Sequence, residues 1–466
     1  MGRLMEKDRD DIKNILHKVV QEAILFFDEI DDRPAAISPV KFISDGLPTE
    51  GCGAMEAIHQ FQSTYAKALS GSAGPRYLGF VTGGATPASI AGDWLVSVYD
   101  QNVASLGDSV AGFVEMETID MLKELFHLPK EFSGAFVSGA TMANFVGLAQ
   151  ARQWVAHQHG INVSQQGLYN VPPIKVASGT PHSSIYKSLS MLGLGRNSVT
   201  IIPCLPDREA VNVEKLREFL EENRNVPCVI VANAGTVNTV DYDDIQAIGA
   251  LKNEYSFWLH VDAAFGGFAA CSPKFRHFVA GMEQADSITI DAHKWLNVPY
   301  DSAMQFTRHK SLQMEVFQNH AAYLGNAIDH PDFVHLTPEN SRRFRALPAW
   351  FTLKAYGRLG YQQTVESNAE MAQLLTEKIQ MSDKFTLLAP TRLNVVCFTL
   401  AKKEKNITVD DIRQFLDLLK QDGQVFMTPT VYQGIPAIRA AFSNWRTSAQ
   451  DVELIWSALC RVYDSI

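Results

Sequence analysis

The chain has 466 residues, of which 46% are hydrophobic and 20% are charged. This length and apolar content are enough for a large buried core, and they predict more than one domain. The formal net charge of -10 argues against nucleic-acid binding, which requires cationic side chains to neutralise phosphates.

The N-terminal segment is charged and lacks the apolar core of a secretion signal. No stretch approaches the roughly 18 uninterrupted apolar residues of a membrane span, so we expect no membrane association and a cytoplasmic location. The six cysteines are scattered without a C-x-x-C pair. This spacing predicts free thiols and neither a zinc site nor a disulfide framework.

Residues 8–29 are predicted to form an amphipathic helix, followed by an irregular arm at 33–50 that contains Pro and Gly. Residues 1–70 would thus be an N-terminal helical arm. Strands and helices alternate between about Ser133 and Thr307, which is typical of an α/β domain with a mainly parallel sheet.

A strand, a small-residue turn and a long helix are predicted over 134–152. The first backbone N–H groups of such a helix, at Ala140 and Thr141, could hold a phosphate dianion. The Thr141 hydroxyl would add one hydrogen bond, and Asn144 would support the site one turn further on. An ordinary capped helix is the alternative interpretation.

Two further strands end in residues suited to catalysis. A β-rich stretch over 257–262 ends in Asp262, which a parallel sheet would deliver to its carboxyl edge. The next strand leads into His293 and Lys294, where burial and a neighbouring cation could keep a lysine amine neutral enough to attack an aldehyde. Asp262 could instead be a capping or turn residue.

A carboxylate, a lysine and a phosphate site together suit pyridoxal phosphate. An aspartate keeps its pyridine nitrogen protonated and makes the ring a better electron sink. The motifs His-Val-Asp-Ala-Ala at 260–264, Asp-Ala-His-Lys-Trp at 291–295 and Ser-Arg-Arg-Phe-Arg-Ala-Leu-Pro-Ala-Trp at 341–350 occur in that order. In this set the chain resembles the pyridoxal-phosphate-dependent group II amino-acid decarboxylases, which include aromatic-amino-acid and glutamate decarboxylases.

The resemblance implies a fold-type I, aspartate-aminotransferase-like architecture with a large cofactor-binding domain at 71–340 and a smaller C-terminal α+β domain at 341–466. It also implies a homodimer whose active sites lie at the subunit interface. Lys294 would form the Schiff base with the cofactor, beside His293.

The resemblance also assigns roles to side chains away from Lys294. His182 would stack on one face of the cofactor ring, Ala264 would lie against the other, and Thr236 would lie near cofactor and substrate. Tyr323 occupies the place of a loop tyrosine that returns a proton to the α-carbon. An ordinary loop tyrosine is the alternative.

The substrate pocket is implied at two places. Phe80 and Thr82 lie in a stretch that matches the family's substrate loop, where an apolar Phe80 would favour aromatic over acidic substrates. Arg439 matches an arginine that meets a substrate carboxylate in some relatives, although a structural ion pair is equally compatible with its position.

Three functions are compatible with these residues. The chain is expected to decarboxylate an L-amino acid to its amine and CO2. Lys294, Asp262 and the phosphate site would equally serve an aminotransferase or a carbon–carbon lyase. A weakly active paralogue that binds the cofactor would be indicated by loss of the lysine or the aspartate, and both are present.

Overall fold

The computed structural model describes residues 2–38, 41, 46–319, 332–401 and 407–466. Its larger sheet has seven strands in the order β1-β7-β6-β5-β4-β2-β3. Their bounds are β1 Ser133–Val137, β2 Lys175–Ser178, β3 Val199–Ile201, β4 Cys228–Asn233, β5 Phe257–Asp262, β6 Ser287–Asp291 and β7 Ala303–Thr307. All neighbours are parallel except that β7 pairs antiparallel with both β1 and β6. The predicted mainly parallel sheet is confirmed.

The smaller sheet is antiparallel, in the order β10-β11-β9-β8. Its strands are β8 Phe385–Leu387, β9 Val395–Leu400, β10 Thr428–Tyr432 and β11 Ile435–Ala441. Together with the helices around it, this sheet forms the α+β unit expected in the C-terminal part of the chain.

Fourteen α-helices lie in the described ranges. They are α1 Arg3–Asp10, α2 Ile12–Asp28, α3 Ala54–Thr64, α4 Pro87–Tyr99, α5 Ala111–Leu125, α6 Ala140–His157, α7 Val163–Gln166, α8 Ser183–Met191, α9 Val213–Glu222, α10 Ile245–Ala250, α11 Lys310–Phe317, α12 Ala346–Gln380, α13 Val409–Asp422 and α14 Ala449–Tyr463. Within the same ranges, no helix is both long and apolar enough to cross a lipid bilayer.

The central strands are buried along their whole length. Every residue of β4 and of β5 is buried, as expected of parallel strands that are covered by helices on both faces. Helix α6 packs against β5, β6 and β7. Because helices cover the faces of the sheet, a ligand can reach polar groups of the strands at the carboxyl ends.

Two helices, α1 and α2, stand in place of the single helix predicted over 8–29. Neither α1 nor α2 has a buried residue. Apolar side chains on them are exposed, such as Leu16 at 48% and Ile24 at 53%. An amphipathic arm with its apolar side chains uncovered has a surface suited to packing against another chain.

The Ser-Arg-Arg-Phe motif begins with a buried ion pair. The side chains of Arg342 and Glu115 are both fully buried and meet at 2.7 Å. Arg342 also donates to the carbonyl oxygens of Val103 and Phe136, each at 2.7 Å. The motif therefore ties α5 and β1 to the segment that enters α12, and this arginine has a structural role.

Candidate active site

A cavity of about 640 Å³ opens at the carboxyl ends of the parallel strands. Four of its lining side chains are charged, namely Glu209, Asp262, Lys294 and Arg439. It brings together eight of the predicted site residues, which are Phe80, Ala140, His182, Thr236, Asp262, Ala264, Lys294 and Arg439. Tyr323 lies outside the described residues.

Asp262, the last residue of β5, presents a carboxylate held by two donors. Its Oδ2 accepts from the Asn144 side chain at 3.1 Å, and its Oδ1 accepts from the Ala264 backbone N–H at 3.2 Å. The Asn144 side chain is therefore engaged with Asp262, and its support of the phosphate site stays a prediction. One helical turn carries Asn144 about 5.4 Å along α6, away from the helix start.

Behind Asn144 the hydrogen bonds continue into the protein core. The Asn144 Oδ1 lies 2.9 Å from His260 Nε2, and His260 Nδ1 lies 2.8 Å from the Ser287 hydroxyl oxygen. Burial lowers the pKa of His260 to about 4, against a weaker opposing effect of Asp262. The histidine is thus neutral at pH 7, and its hydrogen bonds fix the amide that orients Asp262.

Lys294 lies in a π-helical turn that spans Ala292–Leu296 directly after β6. Its Nζ is 2.9 Å from Asp291 and 5.6 Å from the centre of the Phe265 ring. The turn is closely packed on the other side, because a Cβ added to Gly83 would lie 1.6 Å from the Lys294 carbonyl oxygen. Only a glycine fits there without moving the lysine backbone.

The start of α6 is occupied by a protein carboxylate. The Ala140 N–H, a predicted phosphate donor, donates to Asp291 at 2.7 Å. Thr141 does not line the cavity, and its carbonyl oxygen accepts from the Ser188 hydroxyl at 3.2 Å. Asp291 thus joins the helix start to Lys294.

His293 lies beside this carboxylate without lining the cavity. Its Nε2 is 3.5 Å from Asp291, and its ring centre is 4.3 Å from that of Tyr300. Burial lowers the pKa of His293, and Asp291 opposes this effect. A neutral imidazole here can bridge the Tyr300 ring and the Asp291 carboxylate.

His182 caps the N-terminus of α8 and faces the cavity. Its Nδ1 accepts from the Ser184 N–H at 3.2 Å and lies 2.8 Å from the Ser184 hydroxyl oxygen. Desolvation by the cavity walls lowers its pKa, while Asp262 acts in the opposite direction. The hydrogen bonds orient a flat ring toward the space that Ala264 also lines.

Glu209 is a functional candidate that the sequence analysis missed. It is 9% exposed and accepts from the Thr236 hydroxyl at 2.5 Å and from the Thr239 hydroxyl at 2.7 Å. Thr236 thus lines the cavity, but its hydroxyl donates a hydrogen bond to Glu209. No motif marks this residue, because it lies in a loop between β3 and α9.

The outer part of the cavity combines apolar and polar groups. Phe80 and Tyr300 are each 60% exposed. Thr82 does not line the cavity, and its hydroxyl oxygen lies 3.2 Å from that of Tyr300. Arg439 is buried and donates to the Val237 carbonyl oxygen at 2.9 Å, while its Nε has no partner among the described residues.

These residues fit pyridoxal phosphate at two of its three functional ends. Lys294 supplies an amine for the aldehyde, and Asp262 supplies a firmly held carboxylate for the ring nitrogen. At the phosphate end, the helix start at Ala140 faces the same cavity. A bound phosphate would have to share that helix start with Asp291.

Comparisons with known proteins agree with this chemistry. The family profile described as "Pyridoxal-dependent decarboxylase conserved domain" matches residues 50–401. An aromatic-L-amino-acid decarboxylase from Catharanthus roseus is 25% identical over 408 residues, covering 84% of this chain and 80% of the relative. A phenylacetaldehyde synthase from Petunia hybrida is 26% identical, covering 97% of this chain and 94% of the relative.

The fold agrees as well. The crystal structure of Oryza sativa TDC with PLP and tryptamine superposes with a TM-score of 0.90 at 22% sequence identity. The match covers 98% of each chain. This likeness establishes the fold-type I architecture that the sequence predicts.

Proposed function

The chain belongs to the pyridoxal-dependent decarboxylase family, and from this premise we propose that it converts an aromatic L-amino acid to its amine and CO2. It is a pyridoxal-phosphate-dependent carboxy-lyase that acts on an amino acid. The observation that carries the finer proposal is the single cavity that holds Lys294, Asp262 and His182 together with an apolar Phe80. The proposed substrate is an aromatic L-amino acid, and the proposed product is its amine.

Each residue of the inner cavity has a proposed task. When bound, pyridoxal phosphate supplies an electron sink for the charge left by the departing carboxyl group. Lys294 holds the cofactor until substrate arrives, and Asp262 keeps a proton on the ring nitrogen. His182 and Ala264 both line the cavity and would enclose the ring from opposite faces. Thr236 lines the same cavity and would lie near cofactor and substrate.

The phosphate is proposed to bind at the start of α6. The backbone N–H groups of Ala140 and Thr141 and the Thr141 hydroxyl would be the donors, with the helix dipole behind them. The phosphate would share the Ala140 N–H with Asp291. His293 adds a neutral imidazole next to Asp291. Asn144 orients Asp262.

The aromatic preference is proposed from the outer cavity. Phe80 presents an apolar ring to the space beyond Lys294, where an aromatic side chain would remove apolar surface from water. Thr82 supports this wall through Tyr300. Arg439 lines the cavity, and its guanidinium would bind the substrate carboxylate.

Tyr323 is proposed to return the proton to the α-carbon. Replacing it with Phe removes only the hydroxyl group. We expect Tyr323→Phe to slow amine formation and to increase oxidative or transamination side products. Unchanged amine turnover in this variant would remove Tyr323 as the donor.

We also propose a homodimer with interface active sites. The exposed apolar side chains of α1 and α2 support it, because a monomer would leave them in water. A cytoplasmic location is supported by the free thiols, two of which, Cys228 and Cys397, are buried. Sedimentation equilibrium tests the dimer, and a mass of one chain, 51.7 kDa, at micromolar concentration would contradict it.

The activity is tested by incubating the cofactor-loaded protein with a panel of L-amino acids and identifying the products by mass spectrometry. We expect an amine from one or more aromatic amino acids, with release of CO2. Keto acids without CO2 would indicate a transaminase. An aldehyde with CO2 would contradict the amine as product, and no product from any amino acid would indicate an inactive paralogue.

A further inference from the structure

Glu209 is the charged side chain of the cavity for which the proposed mechanism has no use. Lys294 and Asp262 are assigned to the cofactor, and Arg439 to the substrate carboxylate. A buried carboxylate is costly to desolvate, and its presence beside the substrate space calls for an explanation.

The carboxylate of Glu209 is held in a built site. Its Oε2 accepts from the hydroxyls of Thr236 at 2.5 Å and Thr239 at 2.7 Å, and its Oε1 accepts from the Asn238 amide at 2.9 Å. A carboxylate oxygen accepts about two hydrogen bonds. Oε1 therefore keeps the capacity to accept one more donor.

The backbone of Glu209 is fixed as firmly as its side chain. Its N–H donates to Asp241 at 3.0 Å, and its carbonyl oxygen accepts from the Thr180 hydroxyl at 2.9 Å. Asp241 is in turn paired with Arg208 at 2.6 Å and with Arg392 at 3.3 Å. The carboxylate is therefore held in one position, and turning it away from a ligand would cost free energy.

Glu209 and Arg439 line the same cavity. Desolvation lowers the pKa of Arg439, while Cys397 and Glu209 act to raise it. A substrate whose carboxylate binds Arg439 would place its side chain in the cavity that the Glu209 carboxylate also lines. A second carboxylate on the substrate would then meet a like charge at low local dielectric.

We propose that Glu209 is a specificity-determining residue that excludes amino acids with an acidic side chain and accepts a hydrogen bond from side chains that carry an N–H or O–H donor. The inference rests on the proposed function, because it takes the cavity to be the substrate site. Indole and phenol side chains carry such a donor and no negative charge. Carboxylate side chains carry a negative charge and are excluded. Phe80 alone would select aromatic side chains by apolar contact. Glu209 would add selection by charge and by hydrogen bonding.

The test uses glutarate and its monoamide, glutaramate, which have the same shape and differ by one charge. Neither carries an α-amine, so neither can be turned over. Their affinities are measured by isothermal titration calorimetry on the cofactor-loaded wild type, on Glu209→Gln and on Glu214→Gln. Glu214 is the matched control, because it is exposed on the first turn of α9 outside the cavity.

We expect wild type and Glu214→Gln to bind glutaramate about tenfold or more tightly than glutarate. In Glu209→Gln this ratio should fall to within about twofold. Equal affinities in the wild type would overturn the proposal even if the variant fails to fold, and so would an unchanged ratio in a folded Glu209→Gln. Because binding needs no turnover, failure of the amine assay would count against the proposed function alone.

Discussion

The inner and outer parts of the cavity are built in different ways. The floor, defined as Asp262, Asn144, His260 and Ser287, is buried, and its side chains form one connected series of hydrogen bonds. The rim, defined as Phe80, Tyr300, Glu209 and Arg439, combines two exposed rings with two opposite charges. A floor of this kind suits one cofactor held in one geometry, whereas the rim is where different substrates can be distinguished.

The difference follows from which elements supply each part. The floor residues come from strands β5 and β6 and helix α6, which the main core fixes. The rim residues come from loops and from the smaller sheet, far apart along the chain. Changes to the floor should therefore affect the reaction with every substrate, whereas changes to the rim should alter the choice among substrates.

The largest effect is expected from replacing the lysine above the floor. Lys294→Ala removes the amine that is proposed to anchor the cofactor, so amine production should fall by about ten-thousandfold for every substrate. Steady-state assays measure the loss of amine production. The visible absorbance of the loaded protein measures the loss of the cofactor's link to the lysine. Lys215→Ala, at an exposed surface ion pair, should leave activity unchanged, and substantial turnover by Lys294→Ala would refute the assignment.

A change of charge at the floor should come next. Asp262→Asn keeps the size of the side chain but removes the charge proposed to hold a proton on the ring nitrogen. We expect kcat to fall by about a thousandfold with all substrates. Asp244→Asn is the control, because Asp244 caps α10 and Asn is an equally good cap. A fall in kcat with only some substrates would mean that Asp262 acts in the choice among substrates, as proposed for the rim.

The floor should also affect stability at acidic pH. Burial lowers the pKa of His260 to about 4, below the unfolded value of about 6.5. Between these values the unfolded chain binds a proton that the folded chain does not, so stability is lost as pH falls through this window. This loss amounts to about 3 kcal/mol.

Urea unfolding of wild type and His260→Gln at a series of pH values measures this contribution. The wild type should lose about 3 kcal/mol more than the variant between pH 6.5 and pH 4. Parallel pH profiles of the two proteins would show that His260 does not titrate as a buried neutral group.

The smallest effect is expected at the rim. Phe80→Ala removes an apolar ring from the proposed substrate space, which should raise KM for aromatic amino acids about fivefold and leave kcat nearly unchanged. Tyr169, which is 96% exposed, gives the control variant Tyr169→Ala. A large fall in kcat with an unchanged KM would mean that Phe80 affects the reaction itself.

Floor and rim also differ in how far the sequence predicts them. Asp262 ends one buried strand and Lys294 follows another. Because parallel strands end at one edge of a sheet, their meeting in one cavity could be predicted. The contact of Asn144 with Asp262 could not be predicted, because sequence spacing does not tell which neighbour a helical side chain faces. That orientation depends on how α6 crosses β5.

Glu209 could not be predicted, because its role comes from contacts made by a loop. Thr236, Asn238 and Thr239 meet it from 27 to 30 residues away along the chain. No local periodicity or strand end marks such a residue. Its function depends on how the loop after β3 packs against the loop after β4.

The most direct test of the account is to find the lysine that carries the cofactor. Borohydride reduction of the loaded protein fixes the cofactor on its lysine, and peptide mapping by mass spectrometry then identifies that residue. We expect modification of Lys294 alone, at about one cofactor per chain. Modification of another lysine, or none after loading, would contradict the assignment of this cavity as the active site.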